Sequence, residues 1–312
     1  MTYPNFYPDL GPVLGPVLGP VLGIGELLWD LFPTGPIVGG APFNFAFHAC
    51  QAGLRGIPVS SVGNDEPGHA LLAVLQSRGL DTSFIQIDPV HATGSVGITL
   101  KNGLPHYTIH ENTAWDHIAF TDACQGVANS VPALCFGTLA QRSTASRDSI
   151  QRLVKQVGQA GGLCILDVNL RQQFYSREIL ESSLSLSRWL KLSAEDWPGM
   201  ARAMGLDAAQ PEVELERMRT AFGLELVAYT DGDKGAILYT PQGILRISAP
   251  KVSVVDTVGA GDAFTAGLLA ARLADQPWWV AASYAVALAA EVVKHPGGAP
   301  SLSPEVLRDI HW

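Results

Sequence analysis

The chain has 312 residues, with 20 Lys+Arg against 29 Asp+Glu and a formal net charge of -9. That length can bury a substantial core, in one large domain or a core with a small appendage, and 47% hydrophobic residues argue against general disorder. Only six of the basic residues are lysines and no basic block occurs, which argues against the clustered cationic face that nucleic-acid binding requires.

Residues 1–20 read as an irregular leader, because positions 11–22 are GPVLGPVLGPVL, one tetrapeptide three times over. No Lys or Arg precedes the apolar part and Pro recurs every fourth residue, so neither a signal peptide nor a membrane-spanning helix fits. Three copies of four residues are also too short for a solenoid. From Val21 the text VLGIGELLWDLFP is an apolar run bounded by Gly and Pro, which predicts a buried strand. Residues 42–52 predict a helix opened by Pro in its first turn. Strand-like and helix-like segments then alternate at 59–62, 67–78 and 84–87, and again at 133–136, 146–159 and 163–168. Strands separated by helices of that length predict a parallel sheet covered on both faces.

Residues 94–110 break this rhythm. They alternate apolar and polar around Asn102-Gly103, a hairpin signal, and a hairpin inserted into a βα alternation should stand apart from the main sheet as a flap. After Glu225 the text reads as short strands with tight turns, and 261–274 and 278–294 are Ala-rich, helix-prone stretches. Cys50, Cys124, Cys135 and Cys164 lack CxxC spacing, and three lie in apolar company. They read as reduced core thiols of a cytoplasmic protein.

The most informative stretch is Asp256-Thr257-Val258-Gly259-Ala260-Gly261-Asp262-Ala263-Phe264, preceded by strand-like KVSVV and followed by a helix-like run. Small residues at a helix start leave backbone N–H groups unshielded, and with the helix dipole of about half a charge they form an anion site. A carboxylate beside an anion is normally repelled; Asp262 makes sense there if it accepts a proton from a hydroxyl that attacks a bound phosphoryl group. Other phosphate-binding patterns fail: no Gly-Lys-Ser/Thr step exists for a Walker A loop. A dinucleotide fingerprint lacks its third glycine after Gly259-x-Gly261 and after Gly23-x-Gly25.

The nine-residue string resembles the C-terminal motif of the ribokinase-like (PfkB) carbohydrate kinases. Gly39-Gly40-Ala41-Pro42-x-Asn44 resembles the family's N-terminal motif, a Gly-Gly hinge followed by an Asn that contacts the sugar. Gly25-Glu26-Leu27-Leu28-Trp29-Asp30 looks like a first strand ending in the substrate-binding Asp. Tyr229-Thr230-Asp231-Gly232-Asp233-Lys234-Gly235 resembles the turn beside the nucleotide, and Pro296-Gly297-Gly298-Ala299-Pro300 the adenine-side loop. Asp167-Val168-Asn169-Leu170-Arg171, Gly137 to Arg142 and Ala114-Trp115-Asp116 resemble fructokinase segments. The first of these is shared with 2-keto-3-deoxygluconate kinases. One departure concerns the magnesium-associated Asn-x-x-Glu motif: Lys191-Leu192-Ser193-Ala194-Glu195-Asp196 has Ser193 for Asn and Asp196 for Glu. That leaves Asp196 or adjacent Glu195 to position the metal through water.

The resemblance implies an α/β fold, a ribokinase-like three-layer α/β/α sandwich with a mostly parallel central sheet and a small β-strand lid. The kinase domain would span 21–312, with lid segments at about 33–41 and 91–118 through which family members often dimerise. It implies an ATP-dependent sugar kinase using Mg²⁺, most closely a fructokinase, acting on a primary hydroxyl of a monosaccharide, with neither nucleic acid nor membrane as partner. Asp30, Gly39, Gly40 and Asn44 would hold the sugar, with Gln141 and Arg171 as further substrate contacts. Asp262 would be the base, and the N–H groups of Gly259, Ala260 and Gly261 would stabilise the transferring group. Ser193, Thr230, Gly232, Gly235 and Gly298 would line the nucleotide, and Asp256 and Thr257 would adjoin a monovalent cation such as K⁺. 2-Keto-3-deoxygluconate kinase and ribokinase stay open as alternatives, as do a sugar-binding regulator without turnover and a scaffold on an inherited kinase fold. His106 and His110 share a spacing suited to one strand face but lack a third metal ligand, and read as solvated flap residues. Trp278-Trp279 reads as core or interface, and 211–219 as a solvated helix face.

Overall fold

The computed structural model of the protein describes residues 19–32, 35–101 and 104–310. Most of the GPVL leader and the Asn102-Gly103 turn lie outside the described residues. The elements run β1 (Pro20–Ile24), β2 (Leu28–Phe32), β3 (Gly35–Gly39), α1 (Ala41–Gln51), β4 (Arg55–Gly63), α2 (Glu66–Ser77), β5 (Ile85–Asp88), β6 (Gly94–Lys101) and β7 (Leu104–Ile109). Next come α3 (Asp122–Ala128), β8 (Ala133–Phe136), α4 (Thr144–Gln159), β9 (Leu163–Asp167), α5 (Arg177–Ser185), β10 (Trp189–Ser193), α6 (Trp197–Met204) and α7 (Pro211–Ala221). The chain closes with β11 (Leu226–Thr230), β12 (Ala236–Thr240), β13 (Gly243–Ile247), α8 (Ala260–Leu273), α9 (Trp278–Val292) and α10 (Pro304–Asp309).

The central sheet has nine strands in the order β13-β12-β11-β10-β9-β8-β1-β4-β5. Pairing is parallel from β5 through β11 and antiparallel only at β11–β12 and β12–β13. Alternate residues of one strand enter different cores, which is why these strands read as continuous apolar runs. Leu22, Leu134, Leu166 and Leu190 pack with α4–α7 residues such as Leu153, Leu180, Met200 and Leu215. Val21, Ala133, Ile165 and Trp189 pack on the other face with Phe45, Phe264 and Leu288 of α1, α8 and α9. Helices therefore cover both faces, giving the three layers expected. Among the described residues no helix is long and apolar enough to cross a membrane.

The apolar run from Val21 is not one strand. Gly25, at φ +149°, ends β1, the Glu26 side chain turns inward, and the chain restarts as β2 in a second sheet ordered β3-β2-β6-β7. Asp30 accordingly sits in the middle of β2, opposite Ile37 of β3, and not at the end of the first core strand. The second sheet starts at Leu28, ahead of the segment expected to open it. The hairpin β6–β7 runs in the expected register, with Lys101 opposite Leu104. It joins β2 by a parallel pairing that sequence spacing does not reveal.

Beneath this sheet Arg142 binds Asp116 through two bonds of 2.7 and 2.8 Å and lies 3.9 Å from the centre of the buried Trp115 ring. The fructokinase-like Ala114-Trp115-Asp116 segment thus ties the second sheet to the core. Trp278 is buried against Trp189, while Trp279 is 61% exposed. All four cysteines are free thiols. The mixed-charge helix α7 carries the ion pairs Arg217–Glu214 and Arg219–Glu216, as its solvated face predicts.

Candidate active site

In an open parallel sheet, ligands bind beyond the carboxyl ends of the strands, where the strand order reverses. Here that point lies between β1 and β8: the chain proceeds from β1 to β4 and β5 on one side, then from β8 to β11 on the other. Gly25, Gly137, Asp167, Ser193 and Thr230 lie at or just past those strand ends. The amino terminus of α8 and the Gly39-Gly40 hinge meet at the same place.

Gly259, the residue before α8, is left-handed at φ 79°, and no side chain caps the helix. A Cβ there would fall on the carbonyl of Gly298, so the turn and the 296–300 loop are in backbone contact. Asp256 holds them together, accepting from Val258 N at 3.0 Å and Gly297 N at 2.9 Å. His48 Nε2 donates to the Gly298 carbonyl at 2.9 Å, and its Nδ1 accepts from Gln51 at 3.1 Å. Burial lowers the His48 pKa to about 4, so this clamp is neutral. Gly298 therefore packs closely against Gly259 and Asn44, beside the amino terminus of α8. Of the three amides expected to face the transferring group, that of Ala260 donates to Thr257 O at 3.3 Å, within the turn.

Asn44, buried on α1, donates from Nδ2 to Asp262 Oδ2 at 2.9 Å. This bond joins the two motifs across 218 residues of chain. The Asn44 Oδ1 is buried and has no protein partner among the described residues. Burial raises the Asp262 pKa to about 7; Asp167 and Glu26 push the same way, while Lys191 and the Asn44 bond oppose. Gly40, at φ 114°, opens α1 against the backbone of Glu26, and the Ala41 N–H donates to Glu26 Oε1 at 3.2 Å. Gly39 leaves room for the Asp30 carboxylate, whose pKa burial raises to about 6. Arg171 is exposed, and its charge acts on both Glu26 and Asp30.

Several expected residues are placed elsewhere or otherwise occupied. Gln141 is fully buried, donates to Gly137 O at 2.8 Å and Ser183 Oγ at 2.9 Å, and accepts from Gln151 at 3.1 Å. Its hydrogen-bonding capacity goes to the core, so it is a structural residue and not a sugar contact. Gln141→Leu is expected to cost about 1–3 kcal/mol by stranding those partners, with the sugar KM unchanged; urea unfolding and sugar titration check this. Asp196 accepts from Leu170 N, Ser193 N and Ser193 Oγ, whereas Glu195 is exposed. Thr230 ends β11 beside Ser193 of β10. Gly232 and Gly235 close the following turn, and a Cβ at Gly235 would strike Ile247 O, which gives that glycine a packing role. His110 Nδ1 lies 2.7 Å from Ser95 Oγ, and among the described residues no group of three or more His, Cys, Asp or Glu is placed to hold a metal ion. Sequence reasoning does not assign roles to His48, Glu26, Lys191 and Asp167, whose significance depends on contacts between distant segments.

A family model described as pfkB family carbohydrate kinase matches residues 35–305. The chain belongs to this family. It is a sugar kinase, a phosphotransferase with an alcohol acceptor, and its fold is ribokinase-like. Fructokinase-1 of Oryza sativa subsp. japonica is 29% identical over 311 residues, covering 90% of this chain and 94% of its own. Fructokinase of Escherichia coli is 26% identical over 258 residues, covering 79% of this chain and 82% of its own. The crystal structure of Xylella fastidiosa fructokinase with bound ATP superposes with a TM-score of 0.81 at 22% identity, covering 93% of this chain and 97% of that one. That likeness is one of fold, the frame within which Asn44 and Asp262 meet here.

Proposed function

We propose that this kinase transfers the γ-phosphoryl group of ATP to a primary hydroxyl of a monosaccharide, with fructose as the preferred acceptor. The observation that carries the reading is the Asn44–Asp262 bond at the uncapped amino terminus of α8. It holds a carboxylate of raised pKa beside an anion site, where a phosphate and a hydroxyl can meet. The fructokinase relative favours fructose, and the Asp167-to-Arg171 string is compatible with fructose and with 2-keto-3-deoxygluconate.

In this reading Asp30, Gly40 and Asn44 hold the sugar, with Arg171 facing its polar edge. The unpartnered Asn44 Oδ1 accepts from a sugar hydroxyl. Asp262 takes the proton as the hydroxyl oxygen bonds to phosphorus and the bond to ADP breaks. The amides of Gly259 and Gly261 offset charge on the transferring group. Ser193, Thr230 and Gly232 flank the nucleotide. Mg²⁺ supplies positive charge to the phosphates when bound, and Glu195 fits its water shell better than Asp196, which already serves three protein donors. A potassium ion at Asp256–Thr257 would rest on backbone carbonyls, since both Asp256 oxygens hold amides. A homodimer through the second sheet would cover exposed Leu31 and Tyr107, and the free thiols suit the cytoplasm.

A sugar panel with coupled ADP detection tests the specificity, with fructose expected to give kcat/KM at least tenfold above ribose and 2-keto-3-deoxygluconate. A better alternative acceptor would overturn the fructose assignment, and sugar binding without ADP release would favour a regulator. Because the base must be ionised and its pKa lies at about 7, kcat is expected to rise through pH 7, falling about tenfold for each unit below it. A profile flat from pH 5 to 8 would count against Asp262.

A further inference from the structure

Beneath the first turn of α8 lies a buried ion pair that the mechanism above does not use. Lys191 of β10 donates from Nζ to Asp167 Oδ1 of β9 at 3.1 Å, and the two residues are only 8% and 4% exposed. Thr265, one turn along α8, donates from Oγ1 to Asp167 Oδ2 at 3.2 Å and approaches Gly261 O at 3.0 Å. The Lys191 Nζ fills the space that a Cβ on Gly261 would occupy. Gly261 therefore admits an ammonium against the backbone of the residue next to Asp262. Buried ion pairs seldom stabilise a fold more than apolar replacements of similar volume, so stability alone is a weak reason for this one.

We propose that Lys191 is a positioning residue for phosphoryl transfer: its ammonium, fixed by Asp167 under the first turn of α8, keeps the Asp262 carboxylate in its proton-accepting form. The inference rests on the function proposed above. The groups facing Asp262 are Asp167 from β9, Lys191 from β10, Glu26 after β1 and Cys135 from β8, while Asp196 acts on Lys191. Asp262, Asp167 and Glu26 thus share one region with Asp196 nearby, four carboxylates in all, and Lys191 is the cation among these groups. Burial works against the Lys191 charge, but Asp167, Asp196 and Asp262 outweigh it and hold its pKa above the usual lysine value. Losing the ammonium would leave Asp167 and Asp262 repelling each other, which favours protonation.

The test compares Lys191→Met, Asp167→Asn and the double variant. Lys191→Met is expected to move the acid limb of kcat up by about one pH unit or more, Asp167→Asn to move it down, and the double variant to return it close to wild type. A purely structural pair would lower stability without moving the limb. Carboxyl-carbon NMR, with Asp262 assigned by Asp262→Asn, reads the same midpoint without turnover. Should Lys191→Met fail to fold, Gly261→Ala serves instead, because its methyl displaces the ammonium and is expected to raise the midpoint. An Asp262 midpoint unmoved in Lys191→Met, or in Gly261→Ala where that variant replaces it, overturns the inference. Loss of sugar-dependent ADP release already in the wild type, with the midpoints shifting as expected, strikes the proposed function alone.

Discussion

Asp262→Asn is expected to lower turnover by about 100-fold or more while the protein stays folded. The amide keeps the shape of the carboxyl and can still accept from Asn44 through its oxygen, but it cannot take a proton from the sugar. Its effect on stability has a defined sign. Asp262 is raised from 3.8 to about 7 on folding, chiefly by burial, so its contribution is most favourable below pH 4 and is lost as pH rises through 7. Relative to wild type, the variant should therefore gain stability between pH 5 and pH 8. Thermal unfolding at the two pH values, with ADP release, checks both halves. Near-wild-type kcat would sink the role assigned to Asp262.

Gly259→Ala is expected to be the most damaging single-methyl change at the site. The residue is left-handed at φ 79°, a conformation that costs a non-glycine residue about 1–2 kcal/mol. The new methyl also falls on the Gly298 carbonyl, which accepts from His48 in a loop that Asp256 ties down through the Gly297 N–H. The clash can be relieved only by parting α8 from the 296–300 loop, which misaims the amides at the anion site. Turnover should fall about 100-fold, as on losing one oxyanion donor, together with a lower Tm. A variant with unchanged Tm and kcat would show that the turn does not need this close approach.

Much of the frame is legible in the order of residues. Alternating apolar strands and helices of ten or more residues require a parallel sheet covered on both faces, and Asn102-Gly103 marks a hairpin outside that alternation. These features are local, because side-chain periodicity and turn chemistry act within a few residues. The Asp256-to-Phe264 string is legible for the same reason: small residues at a helix start and an Asp in its first turn are a local arrangement. Gln141 misleads on equally local grounds. It follows a strand and carries an amide, yet Ser183 and Gln151, 42 and 10 residues away, consume that amide in the core.

The excess of acidic over basic residues points away from nucleic acid, and the glycine-rich 256–264 string points to a phosphate site built from backbone. The sequence by itself determined that pairing: small residues with unshielded amides at a helix start, and a carboxylate beside them. Only the tertiary structure decided what surrounds that carboxylate. Folding brings Asn44 onto Asp262, puts Lys191 under Gly261 and locks Gly298 against Gly259. Burial and charge then shift the pKa of Asp262 to about 7. Such shifts depend on distances between groups on different strands and helices. The order of residues along a chain does not contain those distances until the sheet has assembled.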